Sequence, residues 1–166
     1  VADPAGRCGP TATHGGLGRR TVFAIIGRRP RGEHVSTPIG PYTPARRVGD
    51  WVITSGQIGL APDENGVAAL VDGGTIPQLH QALANVATVL GGHGATLRDV
   101  VKTTLYVLDM GEFAAVNEVW VEYFTGDRPT RSAVAVTALP AGARVEVEAW
   151  AYAPPAAAAP GGVPGR

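Results

Sequence analysis

Arg144-Val145-Glu146-Val147-Glu148-Ala149-Trp150-Ala151-Tyr152 alternates between small apolar residues and larger polar or aromatic ones. A period of two predicts a strand with one face against a core. Val145, Val147, Ala149 and Ala151 make the inward face, and Arg144, Glu146, Glu148, Trp150 and Tyr152 share the other. Upstream, Arg128-Pro129-Thr130-Arg131-Ser132-Ala133-Val134 leads a second run, expected as a strand over about residues 131–137. Leu139-Pro140-Ala141-Gly142 turns the chain between the two. Two carboxylates and an aromatic on one face, with Arg131 on the neighbouring run, would make a small polar pocket. A guanidinium fork holds a carboxylate through two parallel charge-assisted bonds, and a nearby Glu holds or deprotonates a water.

The rest of the chain builds a frame around this pair. A short strand over Ala45–Val48, a Gly49-Asp50 turn and a strand over Trp51–Gln57 open it, the last ending at Ser55-Gly56-Gln57. Asn65-Gly66 marks a turn in the following excursion. Thr75-x-x-Gln78 reads as a capping box, and Ile76, Leu79, Leu83, Val86 and Leu90 keep helical spacing until Gly91-Gly92. Val100–Leu108 reads as a strand. Asp109-x-x-Glu112 caps a second helix with a stripe of Phe113, Val116, Trp120, Tyr123 and Phe124. The order ββαβαββ predicts an α+β fold, one sheet with both helices on one face. The other face is expected to carry Trp150, Tyr152, Glu146, Glu148 and Arg131, a mixture that suits an interaction surface better than a solvated one.

Composition narrows the function. The chain has 166 residues, 45% hydrophobic and 17% charged, enough for one domain. Its net charge of zero is uneven. Residues 1–32 hold six arginines against Asp3 alone, and the remaining 134 residues hold 8 basic and 13 acidic groups. The folded part is therefore mildly acidic, which argues against a specific nucleic-acid surface. Residues 33–153 read as the domain, flanked by disordered tails: a basic Gly/Arg/Pro stretch (1–32) and an Ala/Pro/Gly stretch (154–166). A translated leader upstream of a later start stays open for the first of these, since the chain begins with Val. Arg19-Arg20 resembles a twin-arginine export signal, but the apolar run Val22–Ile26 is too short for one, and no membrane segment is expected. Cys8 is the single cysteine, which suits a reducing, cytoplasmic compartment. His14, His34, His80 and His93 show no ligand spacing, so no metal site is expected.

Seven motifs follow one another in order: Gly40-Pro41-Tyr42, Thr54-Ser55-Gly56-Gln57-Ile58, Gln81-Ala82-Leu83-x-Asn85, Asp99-Val100-Val101-Lys102-Thr103-Thr104, Phe113-x-x-Val116-Asn117-Glu118, Pro129-x-Arg131-Ser132 and Val145-Glu146-Val147-Glu148-Ala149. The series resembles the YjgF/RidA family of reactive enamine/imine deaminases over about Val35 to Tyr152. The resemblance implies a chorismate-mutase-like fold, a homotrimer with a cleft between each pair of subunits, and cofactor-independent hydrolysis of 2-imino acids to 2-keto acids and ammonia. It gives Arg131 the substrate carboxylate, Glu146 the attacking water, and Tyr42 a place at the cleft rim. Ser55, Gly56, Asn117 and Ala133 become the other substrate-binding positions.

Plainer readings stand beside these. Arg131 could be an ion-pair partner of Glu146 or Glu148, and alternation cannot rank the two glutamates. Asn117 could be a helix amide bonded to backbone, Ser55-Gly56 an ordinary turn, and Lys102 a solvated strand charge. Thr130, Ala133 and Trp120 depart from the family's usual residues, with Trp120 standing where Tyr is common, and Ala133 excludes a thiol there. Two rival functions remain: a non-catalytic trimeric protein that binds 2-keto acids through Arg131, and an RNA-cleaving or RNA-binding relative.

Overall fold

Gly49 and Asp50 form the two-residue turn of a hairpin joining β1 (Ala45–Val48) to β2 (Trp51–Thr54) in the computed structural model of the chain, which describes residues 39–155. Gly49 has a φ of 58°, the positive value that a tight hairpin turn demands at its first central position. The chain continues through β3 (Gln57–Ile58), β4 (Leu60–Pro62), β5 (Ala68–Leu70), α1 (Thr75–Gly92), β6 (Val100–Val107), α2 (Phe113–Tyr123), β7 (Thr130–Ala135) and β8 (Val145–Tyr152). The expectations for residues 1–32 and for 156–166 lie outside the described residues.

The main sheet runs β1-β2-β8-β6-β7, with β3 also on β8. All its pairings are antiparallel except β6 with β7, which are parallel and joined by the α2 crossover. The fold is α+β with two helices and a mixed sheet. Two details differ from expectation. The excursion after β3 is itself a two-stranded ribbon, β4 with β5. The expected continuous strand Trp51–Gln57 is broken, because Ile53 pairs with Trp150 whereas Gln57 pairs with Val147. Three residues therefore face two, a bulge at Thr54-Ser55-Gly56. The backbone N–H of Ala149, deprived of a ladder partner there, donates to Thr54 Oγ1 at 2.9 Å.

Alternation along β8 divides the molecule. Val145, Val147, Ala149 and Ala151 are fully buried with Val52, Leu105 and Val107, against Leu79, Leu83, Val86 and Leu90 of α1 and Val116 and Trp120 of α2. The stripe expected on α2 is buried at Val116, Trp120 and Phe124, while Phe113 and Tyr123 are half-buried. On the opposite face Trp51 meets Tyr152 edge-on at 5.2 Å, and Trp150 remains 45% exposed. No helix among the described residues is long and apolar enough to cross a membrane.

The capping signal at the start of α1 gives way to tertiary contacts. Gly74, not Thr75, is the N-cap of α1. Thr75 is buried, donating from its hydroxyl to Glu112 and accepting from Arg144 Nε at 3.0 Å. Gln78 Oε1 accepts from the Arg144 backbone N–H at 2.8 Å. A buried hydroxyl and amide take whatever partners the neighbouring strand offers, which outweighs a local cap. Asp109 caps the 3₁₀ turn Met110–Glu112 that precedes α2, accepting from the Gly111 N–H at 2.7 Å.

Candidate functional site

Glu146 projects from β8 on the helix-free face, opposite the bulge. Gly56 has no side chain, and the Glu146 carboxylate occupies the space a side chain would take. The bulge is held from several sides: Gln57 Nε2 donates to the carbonyls of Ser55 and Gly56 at 3.1 and 3.2 Å. Ser55 ties down the preceding segment, its N–H reaching the Pro44 carbonyl at 2.8 Å and its hydroxyl the Thr43 carbonyl at 2.7 Å. The Ser55 hydroxyl proton is thus already engaged, leaving its lone pairs free. Tyr42 stands on the turn closed by its own N–H to the Gly40 carbonyl, 45% exposed.

These residues line a pocket of about 230 Å³ together with Ile39, Ile58 and Pro140. Pro140 sits on the 3₁₀ turn after Leu139, where Ala141 adopts a φ of 55°. Burial pushes the Glu146 carboxyl above its ordinary value, and the neighbouring Glu148 charge adds to the shift. A half-buried carboxylate held in this way is suited to accepting a proton from water nearer neutrality than a surface glutamate. Among the described residues no group of three or more His, Cys, Asp or Glu side chains is placed to hold a metal ion.

Arg131 is elsewhere. β7 pairs with β6, not with β8, and Arg131 lies opposite Thr103, which is 1% exposed on the helix side of the sheet. The expectation that Arg131 shares a face with Glu146 on a neighbouring run is therefore corrected on both counts. Glu146 aligns with Tyr106, and Tyr106 with Val134, three residues beyond Arg131. Neither glutamate pairs with it; the ion pair among the described residues joins Arg144 to Glu112 at 3.5 Å. Instead Arg131 Nη2 donates to Asn117 Oδ1 of α2 at 2.6 Å, and the guanidinium carbon lies 5.1 Å from the Phe113 ring centroid and 4.6 Å from that of Trp120. Its Nη1 is buried without a hydrogen-bond partner. Burial also lowers its pKa from the usual value.

Of the residues singled out from sequence, Tyr42, Ser55, Gly56 and Glu146 form one cluster, and Arg131 with Asn117 forms a second. Ala133 follows Arg131 on the helix side of β7, half-buried against the core and outside the pocket. Lys102 Nζ donates to Ser132 Oγ at 2.7 Å on the helix-free face. Sequence reasoning missed Ile58, Pro140 and the bracing role of Gln57. Ile58 and Gln57 sat inside a motif, but only the bulge gives them separate tasks.

A family model described as Endoribonuclease L-PSP matches residues 33–153. The solved structure of RidA from the Antarctic bacterium Psychrobacter is similar, with 35% identity and a TM-score of 0.66, covering 72% of this chain and 96% of that one. The chain belongs to the YjgF/RidA family. Among its YjgF/RidA relatives, the mouse protein named 2-iminobutanoate/2-iminopropanoate deaminase is 44% identical over 117 residues, 70% of this chain and 84% of that protein. A RutC family protein of Pyrococcus horikoshii is 40% identical over 120 residues, 72% of this chain and 93% of that protein. The solved structure of Escherichia coli TdcF with bound serine matches at 33% identity and a TM-score of 0.64, covering 72% and 95%. The YjgF/RidA match ends at residue 153, just past β8.

Proposed function

We propose that this protein hydrolyses 2-imino acids, the tautomers of enamines such as 2-aminoacrylate that pyridoxal-phosphate enzymes release, without a cofactor and in the cytoplasm. The products are a 2-keto acid and ammonia. The observation that carries this reading is the Glu146 carboxylate, seated over Gly56 in a pocket with its pKa raised by burial. Glu146 takes a proton from water as the oxygen attacks the imine carbon and returns it to the departing amine; water supplies the oxygen and both balancing protons. Arg131 binds the carboxylate through the edge of its guanidinium, which fixes the imine carbon for attack. Tyr42 closes the rim. The names of the mouse, goat and human relatives, 2-iminobutanoate/2-iminopropanoate deaminase at 41–44% identity, support the same chemistry.

Arg131 and Glu146 stand on opposite faces of one sheet, so the reading requires the Arg131 of one subunit to meet the Glu146 pocket of another. A homotrimer of roughly three times the 17.0 kDa chain satisfies this and covers Trp51, Trp150 and Tyr152. The test is an assay in which an amino-acid oxidase generates imines with several side chains in situ and their loss is followed with and without the protein. Accelerated loss that Glu146→Gln abolishes supports the deaminase. Pyruvate binding without turnover would favour the keto-acid-binding protein. The family description as an endoribonuclease motivates an RNA-cleavage arm, in which no cleavage is expected because residues 33–166 are net acidic.

A further inference from the structure

We infer that Trp120 and Phe113 are positioning residues for Arg131, holding the faces of its guanidinium so that a ligand meets the group at its edge. Phe113 and Trp120 stand seven residues apart on α2, about two turns or 10 Å along the axis. The guanidinium carbon lies 5.1 Å from one ring and 4.6 Å from the other, so it sits between them. Asn117, midway on the same helix, takes one Nη2 hydrogen and sets the rotation of the group about its own plane. Two rings and one amide therefore hold the cation in one orientation before any ligand arrives. Nη1 is buried without a partner, so these contacts and not a full set of hydrogen bonds hold the cation in place.

The arrangement decides what binds. A carboxylate approaches in the guanidinium plane and uses its edge. A nucleobase or aromatic ligand, which would stack on the guanidinium face, finds the flanks occupied. Trp120 thus acts on the arginine and not on the wall of the Glu146 pocket, which it does not line. Indole is the strongest of the aromatic partners for a cation, which suits Trp120 to this hold.

For its ligand, this inference rests on the carboxylate-binding role proposed for Arg131; for the guanidinium, it stands alone. Two measurements separate the cases. Trp120→Leu is expected to raise KM for the imine and the Kd for pyruvate about tenfold, the loss expected of a desolvated cation–π contact, with kcat within about twofold. Trp120→Tyr should recover most of that affinity. Phe113→Leu reads the same effect from the other flank if Trp120→Leu does not assemble. Nitrogen NMR of arginine-labelled protein supplies the readout that needs no substrate. Arg131, assigned by its loss in Arg131→Lys, should show a ring-current-shifted, slowly rotating guanidinium that relaxes to surface-like behaviour in Trp120→Leu. An unshifted, freely rotating Arg131 in the parent protein overturns the inference whatever the activity. So does a Trp120→Leu variant that loses thermal stability alone, with KM, pyruvate affinity and the Arg131 signal unchanged. Absence of turnover and pyruvate binding alongside the predicted Arg131 signal would instead sink the deaminase reading and leave the positioning role supported.

Discussion

A Cβ on Gly56 would stand 1.7 Å from Glu146 Oε1 and 2.5 Å from its carboxyl carbon. Strand β8 and the bulge are therefore fitted to each other at one point, where a backbone without a side chain makes room for a carboxylate. Gly56→Ala must displace that carboxylate. Because only a side-chain end has to move, the melting temperature should change little, while turnover should fall by roughly 10²-fold, comparable to removing a general base. Steady-state kinetics beside a thermal melt check this; unchanged turnover would show that the carboxylate is not needed where it lies.

The two clusters give a second expectation. Arg131→Ala and Glu146→Gln should each be nearly inactive when pure. Mixed by co-refolding, they should regain about a quarter of parental activity, since that share of random subunit pairings restores both groups to one cleft. Complementation of this kind is impossible if a single subunit carries the whole site.

A third expectation concerns pH. Burial, then Glu148, raises the Glu146 pKa above 4.5. Between the ordinary and the raised value the folded chain binds the proton that the unfolded chain has lost, so this group's contribution to stability is present below 4.5 and lost as pH rises through the raised value. The proposed hydrolysis needs the carboxylate, so turnover should rise over the same window. Glu148→Gln removes the secondary cause and should move the acid limb of kcat to lower pH. A limb that stays put would leave burial as the sole cause.

Thr54→Val tests the bulge itself. The side chain keeps its shape, but the buried Ala149 N–H loses its acceptor at 2.9 Å. Chemical denaturation should show a loss of about 1–3 kcal/mol, the cost of an unsatisfied buried donor.

What the sequence shows and hides follows from the range of each signal. The alternation of β8 and the helical stripes of α1 and α2 are legible because one-sided burial imprints its period on neighbouring residues. The bulge is not, since a single extra residue between Ile53 and Gln57 leaves a run that still looks like one strand. The side on which Arg131 lies is hidden for another reason. Thr130–Ala135 has small or polar residues at both parities, so only its register with β6, opposite Thr103, assigns the face. That β6 lies between β7 and β8 is a property of the sheet order, which no local pattern encodes. The motif residues around Glu146 were found, but the division into two clusters appeared only once the strands were laid side by side.

The helix-free face has a consequence for the young chain. A freshly folded chain exposes Trp51, Trp150 and Tyr152 on a sheet whose outer strands, β1 and β7, have unpaired backbone edges among the described residues. Such a surface is adhesive toward any unfinished strand it meets. If the chain assembles as the proposed homotrimer, the interval between folding and meeting its own kind is the hazardous one, and it lengthens as expression falls. For such a trimer scarcity, as much as heat, is the condition to survive.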